Sequence, residues 1–495
     1  MRYQVTYKVG KKTYVNDSAY VSFKVISDYK LEIIPSRDIE LVSAKVFYEY
    51  DDSSQFFCNG FQTWTDSGLY YKNQKMPHLK PLAKLTDAFF KFSTVNDINW
   101  CEQDKHFSHT YTYLLKNGKV IFYGALNERT GFTTFHFKKD LEVHKDVEGV
   151  IISSPFIVFD IYKDQGDLLT CLDNYFTLLG VNKPTAPIMD GYTSWYKHYT
   201  DLSEEKLRRD LEGFKKVSWF KPSLFQIDDG YEEYVGDWMR VDKVKFPSGL
   251  QGIVDDIVKS HMMPGIWLAP FICEKKSNLM KEHPSWVIDK GAFNWSGIYH
   301  LDVTNPEVKE YLHQVFTYFK KLGFKFFKLD FLYSAGYRPM NDKSRGQIMY
   351  ESMDFLREEL KGCYILGCGV PLGSAFGKVD YCRISTDVTE NNDGPWYLRL
   401  LHRERKSTKM AIQDTIARSH LNGRAFNNDP DVFFLRETKL SDKYKEALFK
   451  ANLENGNLLL TSDDVSKYSP ENMDKLRKVQ DKVLNSQELS KTLFK

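Results

Sequence analysis

Lys328 and Asp330 lie near the end of a short and strongly hydrophobic segment of the sequence. Residues 324–333 read Phe-Lys-Phe-Phe-Lys-Leu-Asp-Phe-Leu-Tyr and are flanked by glycines. A short apolar run between turn signals predicts a strand that is buried on both faces. Lys328 and Asp330 are costly to bury there unless they are paired. Polar groups at the ends of parallel strands face the active sites of α/β folds. Asp330 is therefore a candidate for chemistry, with a structural Lys–Asp pair as the alternative.

Acidic residues recur at the ends of other short apolar segments. Eight such segments follow residue 190, and we predict that they are strands: 191–196, 223–230, 264–271, 324–332, 364–370, 381–387, 424–429 and 457–463. Five of them end in carboxylates: Asp228 and Asp229, Asp330, Asp387, Asp429 and Asp431, and Asp463 and Asp464. Asp431 and Asp464 could be helix caps only. The recurrence nevertheless favours one shared acidic pocket.

The segments between these strands have helical apolar spacing, and the whole pattern predicts an α/β fold. The predicted helices cover residues 203–216, 250–260, 306–322, 344–360 and 398–421. Eight β/α repeats over residues 190–470 describe a (β/α)8 TIM barrel. Residues 301–307 are interpreted as the capped start of the helix before the Asp330 strand, not as a strand. Residues 471–495 are predicted to form a short charged tail.

The first third of the chain has a different pattern of apolar and polar residues. Residues 1–165 alternate apolar and polar positions between turn signals, which predicts an N-terminal antiparallel β-sandwich domain. Residues 166–189 read as a helix and a proline-containing linker. The segment Asn-Gly-Phe-Gln-Thr-Trp, ending at Trp64, breaks the alternation. From the residues alone a core position is favoured for Trp64, because tryptophan is highly buried on average.

Composition narrows the function classes. The 495-residue chain carries a net charge of +2 without a basic run, so nucleic acid is not indicated. No segment reads as a leader or a membrane span. Seven scattered cysteines predict reduced thiols in a cytoplasmic protein. Walker A and Gly-x-Gly-x-x-Gly motifs are absent, which disfavours nucleotide cofactors, and we expect no cofactor.

Two chemistries suit an acidic pocket of this kind. One is hydrolysis with a divalent metal, but the twelve histidines form no His-x-His or His-Glu-x-x-His motif, so we expect no metal. The other is glycoside cleavage by two carboxylates, about 5–5.5 Å apart in retaining enzymes. Aromatic residues beside the acids favour a sugar substrate: Trp195, Tyr196, Tyr231, Trp238, Trp267, Tyr333 and Trp396.

A set of motifs resembles the α-galactosidases (melibiases) of glycoside hydrolase family 36. In order along the chain they are NGFQTW at 59–64, GYTSWY at 191–196, QIDDGYEEYVGDW at 226–238, KFPSGL at 245–250, GIWLAPF at 265–271, LDVTNPEV at 301–308, KLDFLY at 328–333, GCGVPLGSAFGKVDYCRISTDV at 367–388, NNDPD at 427–431 and LLLTSDD at 458–464. The resemblance implies the (β/α)8 catalytic barrel of the clan of retaining α-galactosidases.

The resemblance also implies site residues. Asp330 would be the nucleophile, and Asp387 would be the acid and then the base. The substrate-binding residues would be Asp228, Asp229, Lys328, Arg383, Trp64, Trp195, Trp267 and Cys368. Lys328 and Arg383 are expected to keep Asp330 ionised, whereas Asp387 should lie in drier and less cationic surroundings. Trp64 would reach over from the N-terminal domain and close the pocket.

The implied function is a cytoplasmic exo-α-galactosidase that acts on melibiose- or raffinose-type sugars without a cofactor. The alternatives are an α-N-acetylgalactosaminidase, a galactosyl transferase or a non-catalytic galactoside-binding protein. Homo-oligomers are possible. The sequence departs from the family pattern at Tyr192 and at Ser385-Thr386 before Asp387. The family's usual C-terminal β domain is expected to be absent or truncated.

Overall fold

The computed structural model describes residues 1–76, 106–291, 294–394, 396 and 406–493. Its N-terminal part consists of two antiparallel sheets. In spatial order the first contains β2 (Lys12–Val15), β1 (Arg2–Val9), β5 (Ile39–Tyr48), β12 (Leu141–Lys145), β11 (Thr133–Phe137) and β8 (His106–His109), with β13 (Val150–Ile152) also paired to β5. The second contains β3 (Val21–Ser27), β4 (Lys30–Pro35), β14 (Phe156–Gly166), β10 (Lys119–Ala125), β9 (Tyr111–Lys116), β6 (Gln55–Cys58) and β7 (Gly68–Tyr70).

The two sheets share one hydrophobic core. In several strands alternate residues point inward, as Val5 and Tyr7 do in β1 and Leu31 and Ile33 do in β4. The period-two pattern in the sequence reflects this arrangement, because successive side chains of a strand lie on opposite faces.

The remaining chain is built around an eight-stranded parallel sheet. Its strands are β15 (Met189–Thr193), β16 (Leu224–Ile227), β17 (Met263–Leu268), β21 (Phe326–Leu329), β22 (Tyr364–Gly367), β23 (Tyr381–Arg383), β24 (Asn427–Asp429) and β25 (Leu458–Thr461). Each pairs with the next along the chain, and β25 returns to pair with β15. A parallel bridge between Val432 and Leu460 narrows the remaining gap beside β24. All eight predicted strands are present, so the predicted α/β barrel is confirmed.

Helices alternate with these strands, and the helices predicted over 203–216, 250–260, 306–322 and 344–360 are present within one residue of those bounds. The α-helices are Leu168–Leu178, Trp195–His198, Glu204–Lys215, Gln251–Lys259, Asn278–Glu282, Pro306–Leu322, Arg345–Glu359, Leu372–Ala375, Thr408–Ala417, Asp442–Asn455 and Pro470–Leu493. Short 3-10 helices cover Glu128–Thr130, Pro284–Trp286, Leu332–Gly336, Ser419–Leu421 and Val465–Lys467. Ser203 and Asn305 cap their helices through side-chain acceptors. None of the helices in the described ranges is both long and apolar enough to cross a membrane.

Three features differ from the sequence-based expectations. A three-stranded antiparallel sheet, β18 (Ile272–Glu274), β20 (Ile298–Leu301) and β19 (Val287–Lys290), is inserted before the helix Pro306–Leu322, so Leu301 ends a strand. The residues predicted as a charged tail extend a helix, because Leu476, Val479 and Val483 share one buried face. The helix predicted over 398–421 begins at Thr408 in the described part, and residues 397–405 lie outside it.

Candidate functional site

The carboxylate of Asp330 lies directly beyond the end of β21. Its backbone N–H donates to the carbonyl of Leu268, which extends the pairing of β21 with β17 by one residue (2.8 Å). Oδ2 accepts from Trp267 Nε1 at 3.0 Å, and Oδ1 accepts from the backbone N–H of Phe331 at 2.9 Å. Asp330 is only 8% exposed. Two neutral donors therefore hold a nearly buried carboxylate in one orientation.

Lys328, two residues before Asp330, forms its ion pair with another acid. Its Nζ lies 2.8 Å from Asp228 Oδ2, and both side chains are buried. Asp228 also accepts from Gln226 Nε2 at 2.7 Å and from Thr193 at 3.3 Å. The costly lysine on the buried strand is thus paired, which satisfies the condition for burying it.

Asp229 faces a ring that the sequence analysis did not select. Trp295 Nε1 donates to Asp229 Oδ2 at 3.0 Å, and the Trp295 ring lies against Trp267 and Phe331. Burial raises the pKa of Asp229 to about 6, although the side chain of Glu232 and the Trp295 donor oppose this rise. Burial, together with the Asp229 charge, also raises the pKa of Glu232 well above its usual value.

Asp387 follows β23 and is surrounded by cations. Arg383 Nη1 lies 3.2 Å from Oδ1, and Lys406 Nζ lies 3.4 Å from Oδ2. The remaining nitrogens of Arg383 bond Asp429 and Asp431, each at 2.9 Å. The Asp387 side chain keeps 26% of its surface exposed, so this carboxylate is wetter than Asp330.

The electrostatics of the two carboxylates are the reverse of the sequence-based expectation. Burial raises the pKa of Asp330, and Lys328 and the Trp267 donor offset this only in part. Burial also acts to raise the pKa of Asp387, but the charges of Lys406 and Arg383 outweigh it, so that pKa is lowered. The expectation of a dry, weakly cationic Asp387 is wrong, since Arg383 bonds Asp387 and Lys328 bonds Asp228.

Trp64 reaches the barrel from the N-terminal sheets. Its Nε1 donates to Cys368 Sγ at 3.3 Å, and its ring packs edge-on against Phe331 with centroids 5.2 Å apart. Trp64 is only partly buried, whereas Cys368 is buried. Trp64 therefore lies against residues of the barrel and not in the core between the two N-terminal sheets. Trp195 lies on the Asp387 side, where Lys406 Nζ stands 5.6 Å from its ring centre.

Not every strand-end acid joins this cluster. Asp431 does, through Arg383 and through a hydrogen bond from the Tyr196 hydroxyl. Asp463 instead forms an ion pair with Arg436, and Asp464 caps the 3-10 helix Val465–Lys467. The acidic cluster therefore draws on the ends of four strands and not five. Tyr192, where the family pattern differs, donates its hydroxyl to buried Asp210.

Five of the seven aromatic residues noted in the sequence fall into two groups. Trp267, Trp195 and Tyr333 lie beside the acids or beside Trp64. Trp238 and Tyr231 are fully buried and stabilise the wall behind Trp267. Trp396 is 65% exposed. In the described ranges, no group of three or more His, Cys, Asp or Glu side chains is arranged to hold a metal ion.

Sequence reasoning missed Trp295, Lys406 and Glu232. Trp295 belongs to the inserted sheet region, which breaks the β/α alternation and gave no strand-end signal. Glu232 stands in the matching segment QIDDGYEEYVGDW, and its charged type in an otherwise buried stretch was an available signal. Lys406 is marked by no sequence signal, because nothing in its local sequence distinguishes it from the neighbouring basic residues.

Fold and site together define a class: a (β/α)8 barrel with an N-terminal β-sandwich, in which buried carboxylates and indole rings meet at the carboxyl ends of the strands. The predicted family resemblance is confirmed. Residues 182–356 match the family model described as Melibiase. An alpha-galactosidase of Lactobacillus acidophilus is 26% identical over 178 residues, and one of Escherichia coli is 28% identical over 175 residues.

These matches cover only part of each protein. They take in 34% and 32% of this chain but only 23% and 24% of the two relatives' length. Solved structures extend the likeness of fold over nearly the whole chain. The alpha-galactosidase of Thermus thermophilus, in complex with p-nitrophenyl alpha-D-galactopyranoside, has a TM-score of 0.74 at 23% identity and covers 96% of this chain and 94% of its own. AgaA of Geobacillus stearothermophilus, a GH36 alpha-galactosidase, has a TM-score of 0.62 at 11% identity and covers 96% and 74%.

Proposed function

We propose that this chain is a retaining exo-α-galactosidase that removes terminal α-linked galactose from oligosaccharides such as melibiose and raffinose. The observation that carries the proposal is the pair Asp330 and Asp387 at the ends of β21 and β23, each held by different partners. Glycoside hydrolysis with retention requires one carboxylate as nucleophile and a second as acid and then base. The family match over residues 182–356 supports galactose as the sugar.

In this proposal Asp330 attacks the anomeric carbon. The Trp267 indole and the Phe331 N–H each bind one oxygen, so the carboxylate is fixed in position before the substrate arrives. Neutral donors leave the oxygens more nucleophilic than a bonded cation would. Attack forms a covalent β-galactosyl ester on Asp330, and hydrolysis of that ester by water restores the α-anomer.

Asp387 must give a proton to the leaving oxygen and later take one from water. Its lowered pKa favours the second task, because the base must be ionised. For the first task the pKa has to rise. A leaving sugar that covers the exposed quarter of Asp387 removes its remaining water, and desolvation raises a carboxyl pKa. In this mechanism the bound leaving sugar itself raises the pKa of Asp387, so that Asp387 can act as the acid.

The other residues implied by the resemblance would bind the galactose ring. Asp228 and Asp229 would accept from its hydroxyls, and Lys328 and Arg383 would donate to others. Trp64, Trp195, Trp267 and Cys368 would form the walls. Trp295 joins this set through its bond to Asp229. A cytoplasmic location is part of the proposal and is in keeping with the buried thiols of Cys171, Cys273, Cys363, Cys368 and Cys382, which form no disulfide.

The test is hydrolysis of 4-nitrophenyl α-galactoside by the wild type, Asp330→Ala and Asp387→Ala, with azide added to each. We expect β-galactosyl azide from Asp330→Ala and α-galactosyl azide from Asp387→Ala, since azide replaces the missing nucleophile in one and the activated water in the other. Asp464→Asn is the matched control, because Asp464 caps the 3-10 helix Val465–Lys467 outside the site. Folded wild type that binds galactose without turnover would instead establish a binding protein.

A further inference from the structure

A fully buried arginine joins two loops that come from opposite parts of the chain. Arg418 caps the carboxyl end of the helix Thr408–Ala417 and has no exposed surface. Its guanidinium donates five hydrogen bonds. The acceptors are Asn59 Oδ1 at 3.2 Å and the carbonyls of Gln62 at 3.2 Å, Thr63 at 2.7 Å, Thr65 at 2.9 Å and Ile384 at 2.8 Å. Four of these acceptors lie in the loop that carries Trp64.

One turn earlier on the same helix, Asp414 makes the complementary contacts. Its Oδ1 accepts from the backbone N–H of Ser67 at 3.0 Å, and the backbone of Thr386 is a second hydrogen-bond donor to this carboxylate. Asp414 is also fully buried. Residues four apart share one face of a helix, so Asp414 and Arg418 present an acceptor and a donor side by side.

The two loops that this pair holds each carry a residue of the proposed site. Trp64 lies between Thr63 and Thr65, whose carbonyls both bind Arg418. Ile384 and Thr386 lie on the segment that leads from β23 to Asp387. We propose that Asp414 and Arg418 are positioning residues that hold the Trp64 loop of the N-terminal domain in register with Asp387.

The planar guanidinium explains why one side chain can do this. Its five N–H groups have fixed directions, so carbonyls that satisfy all of them cannot shift relative to one another without losing a bond. A lysine ammonium group is a point charge on a flexible side chain and cannot donate in these five fixed directions. The Trp64 loop has a further attachment, from the Gly369 N–H to Thr63 Oγ1 at 2.7 Å, close to Cys368.

The consequence for function rests on the proposed activity. Trp64 and Asp387 are 323 residues apart in the chain, and neither fold unit alone sets the distance between them. Weakening the contacts of Arg418 and Asp414 should loosen both the loop that carries Trp64 and the segment that carries Asp387. Substrate binding should weaken before the fold does, because the ion pairs Arg129–Asp354 and Arg345–Asp146 also join the sheets to the barrel.

The test compares Arg418→Lys with Arg129→Lys. Arg129 joins the same two parts of the chain through Asp354, at 2.8 Å, away from the Trp64 loop. For Arg418→Lys we expect KM for 4-nitrophenyl α-galactoside to rise about tenfold with a smaller change in kcat, a change consistent with losing one or two hydrogen bonds. Arg129→Lys should leave both constants unchanged.

A double-mutant cycle identifies the path of the effect. If Arg418 acts through Trp64, then Arg418→Lys combined with Trp64→Ala should raise KM by hardly more than Trp64→Ala alone. If the double variant instead raised KM by the product of the two separate increases, the proposal would be overturned. Asp414→Asn, which keeps the shape of the side chain, should shift KM in the same direction and serves if Arg418→Lys does not fold.

A readout without turnover separates this proposal from the proposed function. Acrylamide quenching of each variant, compared with the same variant carrying Trp64→Phe, isolates the Trp64 fluorescence. Arg418→Lys should increase quenching of that component and Arg129→Lys should not. A wild type without activity would refute the proposed galactosidase function. Unchanged quenching of Trp64 in folded Arg418→Lys would refute the positioning role of Arg418.

Discussion

The surroundings of Asp330 and Asp387 show how one residue type receives two different environments in a single barrel. Asp330 ends a strand buried on both faces, and its carboxylate contacts an indole N–H and a backbone N–H. Asp387 begins a partly exposed loop and contacts a guanidinium and an ammonium. Burial acts to raise the pKa of both carboxylates and does raise that of Asp330, but Lys406 and Arg383 outweigh it at Asp387, whose pKa is lowered.

This difference shows that a basic residue need not form its ion pair with the acidic residue that is nearest to it in the sequence. Lys328 is two residues from Asp330 yet bonds Asp228 at 2.8 Å, because side chains at i and i+2 of a strand point to the same face but need not touch. Arg383 serves three acids at once. The following predictions test the contrast between the Asp330 side and the Asp387 side.

The largest effect is expected from Asp330→Asn. Loss of the nucleophile should lower kcat by at least about a thousandfold. A carboxyl whose pKa is higher in the folded than in the unfolded chain disfavours folding once it is ionised, so the neutral isostere should not lower the melting temperature. Kinetics and thermal unfolding at pH 7 measure both. A melting temperature lowered by several degrees would contradict the electrostatic argument.

Asp387→Ala should depend on the leaving group. With melibiose, whose sugar leaving group needs a proton, kcat/KM should fall about 10²–10⁴-fold. With 4-nitrophenyl α-galactoside the first step needs little acid help, so its rate should fall far less and hydrolysis of the ester should become limiting. Burst kinetics on the aryl substrate check this. Equal losses with both substrates would show that Asp387 is not the acid.

Trp295→Phe probes the Asp330 side without touching either carboxylate of the pair. It removes the Nε1 donor to Asp229 and keeps most of the ring. A hydrogen bond to a charged acceptor is worth about 1.5–3 kcal/mol, so we expect KM to rise roughly tenfold or more with little change in kcat. Trp219→Phe, on the Arg477 side of the barrel, is the control. A loss confined to kcat would argue against a binding role.

The smallest effect is expected from Lys406→Met. Removing this cation should raise the pKa of Asp387, so the acid stays protonated to higher pH and the alkaline limb of kcat/KM moves upward. Lys406 is about half exposed and screened by salt, which limits the gain above that limb to about fivefold. A pH profile with melibiose measures it. Lys409→Met, an exposed lysine nearby, should leave the limb in place.

Much of the architecture could be predicted because its signals are local. The strand before Asp330 is marked by a short run of mainly aromatic and aliphatic residues after Gly323, and the helix after Asn305 is marked by its cap and Pro306. Repetition of such signals eight times indicates a barrel whatever the exact boundaries. The C-terminal helix was missed because its apolar face is thin and its composition is charged.

The candidate site was predictable only in its outline. Residues at strand ends could be named, since parallel strands place those ends at one edge. Trp295, Glu232 and Lys406 could not be placed, because their positions depend on an inserted sheet and on a loop whose course no local pattern predicts. The separation of Asp463 from the acidic cluster also escaped prediction, since its partner Arg436 becomes a neighbour only after folding.

The sequence by itself determined the order of strands and helices, the family resemblance and the two carboxylates to consider, because periodicity, caps and motifs act over a few residues. Tertiary structure alone decided which cation neutralises which acid, and how Arg418 joins the Trp64 loop to the segment before Asp387. Those contacts link residues up to hundreds of positions apart. Their energies depend on distances of a few ångströms and on burial, which only the packed fold sets.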